Sequence, residues 1–182
     1  MEGAITSVMD KARCSAFTVT AIDATPYLDL SWRAGGRDET GVDCWGLVRL
    51  IYAREIGLTL PLYSEFRDDR SGRARLAARS NSLKAAWQPL AEPFCGAVVE
   101  VAIGGRFCHV GIMIDRVRML HTLEGLGACV DPVAAPLWRK RILGYWSPGH
   151  TAFAVSANGA RCGSPLTPLK GSKRNDRSCV SV

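Results

Sequence analysis

Cys44, His109 and His121 together offer a nucleophile, a base and an orienting group, the set a thiolate needs to attack a carbonyl carbon. Cys44, Leu47, Val48 and Ile51 fall at i, i+3, i+4 and i+7, the stripe of an amphipathic helix. Asp43 precedes the run and is a good N-cap. A thiol in the first turn feels the positive end of the helix dipole, which pulls its pKa below roughly 8.5 and makes it a nucleophile. A cysteine taken blindly is more often a small buried hydrophobe; the position at the head of a helix favours the nucleophile. Gly35-Gly36 and Gly41 permit tight turns in the approaching chain and are expected to leave the helix end open to a substrate.

A nucleophilic thiol needs a base, and the base needs a third group to fix its tautomer. Cys108 to Ile114 reads as a strand in which Cys108, Val110, Ile112 and Ile114 share an apolar face, and His109 shares the other with Gly111 and Met113. Met119-Leu120-His121-Thr122 begins the next strand, after a hairpin near Asp115-Arg116. An odd loop such as Ile114 to Arg116 puts His109 directly across from His121, and an even loop puts them on opposite faces. Two of the chain's three histidines on one side of a sheet suggest a site, with His109 as base and His121 as orienting residue. Backbone N–H groups at the helix start, including that of Cys44, would meet the oxyanion. His150 is assigned nothing.

The elements around these residues follow from local pattern. Asp23 to Leu30 reads as a turn and short helix, and Ser31 to Asp38 as a glycine-containing loop leading to Cys44. The nucleophile helix runs from about Asp43 to Glu55 and stops at Gly57. Leu60 to Tyr63 is extended. Ala97 to Ile103 is a strand and Gly104-Gly105 a turn. Gly125 to Gly127 is a loop, Asp131-Pro132 a turn, and Pro136 to Lys140 a short helix or turn with Trp138 inward. Ile142 to Trp146 is a last strand. Helices come first and an antiparallel sheet after, which predicts an α+β fold. The domain expected spans residues 23–148, between an N-terminal extension, 1–22, and a basic tail, 149–182.

Composition sets limits. The 182 residues are 47% hydrophobic and 22% charged, ordinary for one globular domain. Much of the formal charge of +6 sits in residues 151–182, where five basic residues against Asp176 give +4. Arg67 to Lys84 holds six basic and two acidic residues and reads as a solvated helix, since no nucleic-acid motif accompanies it. No apolar run of about 18 residues could span a bilayer. Glu2 and Asp10 stand where a signal peptide would be basic and then apolar, so export of the chain on its own is not expected. Seven cysteines with no C-x-x-C pair argue against a structural metal and against a simple disulfide framework, and most are expected to be reduced.

The segment Leu28 to Arg49, with its Trp-Arg-Ala-Gly-Gly-Arg-Asp and Asp-Cys-Trp-Gly-Leu-Val-Arg wording, resembles the nucleophile segment of the NlpC-type cell-wall cysteine peptidases. His109-Val110-Gly111-Ile112 and Leu120-His121 resemble that family's histidine strand and third-residue strand, and the similarity covers roughly residues 24 to 147. It implies a papain-like fold, with Cys44 as nucleophile, His109 as base and His121 as orienting residue. Trp32, Asp43 and Trp45 are the substrate-binding residues it points to. Trp32 stands where many relatives have a tyrosine, Trp45 where a serine is common, and Ala97 where an aspartate opens the first strand. The implied reaction is hydrolysis of an amide in the peptidoglycan stem peptide, typically between γ-D-glutamate and meso-diaminopimelate, with no metal and no cofactor. The wording is closest to the branch carried by tailed phages and gene transfer agents. That branch implies phage-like tail or baseplate hub proteins as partners, no direct nucleic-acid contact, and a stay in the cytoplasm until assembly delivers the enzyme to the cell wall. A structural tail-tip component, a host wall-remodelling hydrolase and an amidase or acyltransferase are the alternatives.

Overall fold

The computed structural model describes residues 20–63, 86–103 and 106–149, without the side chains of residues 106–108. Most of the N-terminal extension, the basic run from Arg67 to Lys84, the Gly104-Gly105 turn, His150 and the tail beyond it lie outside the described residues.

A 3-10 turn at Thr25–Tyr27 leads into a small antiparallel ribbon, β1 (Arg37–Asp38) with β2 (Gly41–Val42). Helix α1 follows at once, Cys44–Ile51, with Asp43 as its N-cap. The helix then widens into a π turn, Tyr52–Ile56, and Gly57 ends it at φ 72°, a conformation that favours glycine. The Tyr52 hydroxyl donates to Gly96 O at 2.5 Å and ties the helix end to the start of the sheet.

The sheet has six strands: β3 (Trp87–Leu90), β4 (Val98–Ile103), β5 (Arg106–Met113), β6 (Arg118–Leu123), β7 (Gly127–Pro132) and β8 (Ile142–Pro148). Their order is β3-β8-β4-β5-β6-β7, each neighbouring pair antiparallel. A short helix, α2 (Pro136–Arg139), lies between β7 and β8. Helix and antiparallel sheet make the architecture α+β, as expected. Sequence pattern does not assign β3, which contains Pro89, or β7, whose residues read as a glycine loop and an Asp-Pro turn.

Sequence alternation divides the core. Val98, Val110, Ile112 and Leu120 belong to one buried cluster with Leu47, Val48 and Ile51 of α1. Val99, Met113 and Met119, their neighbours in sequence, belong to a second cluster with Trp138 of α2. Neighbouring strand residues point to opposite faces, and both faces are covered. Each fully buried aliphatic side chain contributes roughly 1.5–3 kcal/mol, so the packing of α1 holds the nucleophile turn against the strands that carry the histidines.

Candidate active site

The start of α1 is built around one carboxylate. Asp43 Oδ1 accepts the Gly46 N–H at 2.7 Å and pairs with the Arg37 guanidinium. Its Oδ2 accepts the Gly35 N–H at 3.2 Å. Asp43 is 1% exposed, so the residue that sequence reading offered as a substrate contact is occupied in holding the helix start. The glycine loop makes the tight turns expected of it, with Gly35 at φ 68° and Gly41 at φ 155°, and its backbone packs onto the first turn: the Gly36 carbonyl lies 2.0 Å from where a Cβ on Gly46 would be. Here glycine serves close approach of backbone to backbone. Cys44 itself is 4% exposed, at the first helical position. It belongs to the same buried cluster as Leu47, Val48, Val110 and Leu120.

The two histidines meet. His109 Nε2 lies 3.1 Å from His121 Nδ1, and both rings are buried. They do so diagonally and not directly across. Met113 pairs with Met119 and Ile112 with Leu120, so His121 stands opposite Gly111. Five residues separate the paired Met113 and Met119, an odd number as the shared face requires and two more than the example expected. Asp115 accounts for the extra length: its carboxylate accepts the N–H groups of Val117 at 2.8 Å and Arg118 at 2.7 Å, building the turn from its own side chain. Gly111 then matters for space. A Cβ there would sit 3.1 Å from His121 Cβ, so the missing side chain leaves room for the ring contact.

Beyond His121 the structure adds two residues that sequence reading missed. His121 Nε2 lies 3.2 Å from Asp131 Oδ2, and the Trp138 indole N–H donates to that same oxygen at 2.8 Å. Trp138 also stacks on His109, with centroids 6.2 Å apart and planes 22° apart, and meets His121 edge-on at 5.0 Å. Asp131 is on β7, where His121 pairs with Cys129. The signal was present: Ala128-Cys129-Val130-Asp131 after Gly125 and Gly127 is a strand following a hairpin turn, which would have placed Asp131 near His121.

His121, Cys129 and Asp131 offer ligand atoms within 4.8 Å of one another. Cys129 is in a disulfide, however, and the other two face each other, so these donors do not make a metal site of free ligands. One disulfide takes two of the seven cysteines and does not contradict the expectation that most are reduced. Its partner is not among the described side chains.

Trp32 is half-buried and bridges Val42, beside the start of α1. Trp45 is half-buried too. Its indole N–H donates to Pro61 O at 3.0 Å, and its ring packs on Tyr63 and Trp87 with centroids 5.3 and 6.0 Å away.

The profile of the NlpC/P60 family matches residues 25–147. Among curated proteins, the murein DD-endopeptidase MepS/murein LD-carboxypeptidase of Escherichia coli K12 is 29% identical over 110 residues, which cover 60% of this chain and 51% of that protein. The counterpart from Escherichia coli O157:H7 matches to the same extent. The chain therefore spans about half the length of the curated relatives it matches. Among solved structures, an NLP/P60-family protein similar to lipoprotein from Staphylococcus aureus Mu50 aligns with a TM-score of 0.49 at 20% identity, covering 70% of this chain and 39% of that one. The NlpC/p60 domain of the peptidoglycan hydrolase SagA aligns with a TM-score of 0.45 at 18% identity, covering 68% of this chain and 90% of that one.

Proposed function

This chain belongs to the NlpC/P60 family, and we propose that it works as a cysteine endopeptidase that hydrolyses peptidoglycan. The observation that carries the reading is the buried, hydrogen-bonded pair His109–His121 on strands against which the helix headed by Cys44 packs. His109 takes the Cys44 proton, and the thiolate attacks the carbonyl carbon of a stem-peptide amide. Backbone N–H groups at the start of α1 hold the oxyanion of the tetrahedral intermediate. The intermediate collapses with release of the amine, which receives its proton from His109, and a thioester remains on Cys44. Water, deprotonated by His109, attacks the thioester and frees the carboxylate and the thiol. No metal or organic cofactor enters these steps.

The finer reading rests on the wording of residues 28–49. The bond cut is that between γ-D-glutamate and meso-diaminopimelate, and the enzyme rides on a phage-like or gene-transfer-agent tail, against hub proteins, to open the wall during DNA entry. Residues 23–148 form the peptidase unit. Among the described residues no helix is long and apolar enough to cross a membrane.

The test is release of new amino groups from purified Gram-negative peptidoglycan, with mass spectrometry of the fragments. Wild type should cleave and Cys44→Ala should not, and the fragment masses identify the bond. Well-folded wild type that cleaves nothing, alone or in assembled particles, would point to a structural tail component.

A further inference from the structure

The row of buried polar side chains does not end at His121. His109 Nε2, His121 Nδ1, His121 Nε2, Asp131 Oδ2 and Trp138 Nε1 follow one another at 3.1, 3.2 and 2.8 Å, and the four residues are at most 2% exposed. Two neutral imidazoles in contact admit two proton arrangements. In the first, His121 is protonated on Nε2, its Nδ1 accepts the Nε2–H of His109, and Nδ1 of His109 keeps a lone pair. In the second, His121 is protonated on Nδ1 and donates to Nε2 of His109, whose own proton then occupies Nδ1. Only the first leaves His109 Nδ1 able to take a proton.

The contact between the rings does not choose between them, since either ring can donate. The outer end does. An indole N–H can only donate, so Asp131 Oδ2 is already an acceptor toward Trp138, and facing His121 Nε2 it requires the proton to sit on that nitrogen. Cys129 Sγ, 3.6 Å from His121 Nε2, is a disulfide sulfur with no proton to give. We propose that Asp131, held by Trp138, is a positioning residue that sets the tautomers of both histidines and so makes His109 Nδ1 the atom that accepts the Cys44 proton. Its catalytic consequence rests on the peptidase reading; the proton arrangement does not.

The proton arrangement is read directly from long-range 1H–15N correlation spectra of the full chain labelled in histidine, with His150 identified by its loss in His150→Gln. In the wild type both His109 and His121 should be protonated on Nε2. Asp131→Ala should move His121 toward the Nδ1 form and slow Cys44 alkylation. In the peptidoglycan assay its kcat should fall about 10- to 100-fold, the size seen when a carboxylate that orients a metal-bound histidine is lost, with KM held. Asp131→Asn should restore the wild-type tautomers and part of the rate, because its amide oxygen can take the place of Oδ2 and accept both N–H groups. Trp138→Phe, which keeps the ring stacking, should shift the tautomers less than Asp131→Ala. A wild-type His121 protonated on Nδ1 overturns the proposal without any variant, and so does an Asp131→Ala spectrum unchanged from wild type. Wild-type tautomers as expected in a chain that cleaves no peptidoglycan would support the proton arrangement and remove the peptidase reading instead.

Discussion

Replacing Asp43 with alanine removes three interactions that converge on one carboxylate: the Gly46 N–H at 2.7 Å, the Gly35 N–H at 3.2 Å and the Arg37 ion pair. Loss of the N-cap costs about 1 kcal/mol. Breaking a buried ion pair costs about 3–5 kcal/mol, and because the Arg37 side chain keeps 15% of its exposure the lower end applies. The sum is about 4 kcal/mol, a large part of the roughly 5–15 kcal/mol that stabilises a domain. For a folded unit of this size it lowers Tm by about 10–20 °C. Asp43→Asn, which keeps an acceptor for Gly46 and loses the charge, should fall between. Urea unfolding at neutral pH followed by circular dichroism measures the difference as a shift in midpoint at constant slope. A loss below about 1 kcal/mol in Asp43→Ala, less than the cap alone is worth, would refute the reasoning. If stability held while KM rose, Asp43 would be the substrate contact that sequence reading had offered.

Gly111→Ala should cost about 1–3 kcal/mol from overpacking. Its Cβ presses on His121 Cβ, Leu120 O and Val99 Cγ1 at 3.1–3.2 Å. A His121 ring displaced by even a fraction of an ångström should lower kcat by more than the unfolded fraction explains, which activity per folded molecule measures. Cys44 and Cys95 are nearly equally hidden, at 4% and 6% exposure, so their alkylation rates compare reactivity and not access. Burial first, and then the Asp115 charge, push the Cys95 thiol up. Iodoacetamide at pH 7 should therefore label Cys44 at least about tenfold faster; equal rates, read by peptide mass spectrometry, would remove the argument for a thiolate at the helix start. Tyr52 is raised well above the usual phenol range by burial and then by nearby Cys95, and Tyr27 by burial and then by its bond to Glu55. The folded state thus keeps protons that the unfolded state gives up, so the tyrosines' contribution to stability is level below pH about 10 and falls above it, by about 1.4 kcal/mol per pH unit for Tyr52. Urea midpoints across pH 8–11 check this, and Tyr52→Phe should flatten the fall.

What could be read from sequence was local in origin. The Asp43 cap and the Gly57 stop of the helix depend on the few residues beside them. The faces of β5 depend only on strict alternation, which is why Val110 and Ile112 could be assigned to one core and His109 to the other side. The family wording around Cys44 is local as well, and it carried the fold class and the family.

Tertiary structure decided everything that depends on how segments meet. The offset between His109 and His121 was set by two extra residues in a turn that the Asp115 side chain builds, and parity alone could fix the face but not the partner. Gly111 looked like one more small residue in a strand until its place opposite His121 gave it a task. Asp131 could be seen only as half of a turn, because its role depends on β7 pairing with β6 and on Trp138 arriving from α2. The glycines before Cys44 read as freedom to turn, which Gly35 and Gly41 use at φ 68° and 155°, but the approach of the Gly36 carbonyl to Gly46 came only from packing. Backbone preferences act over a few residues and are written in order along the chain; a hydrogen bond between side chains from different strands depends on register, and register is settled only when the turns and both cores close together.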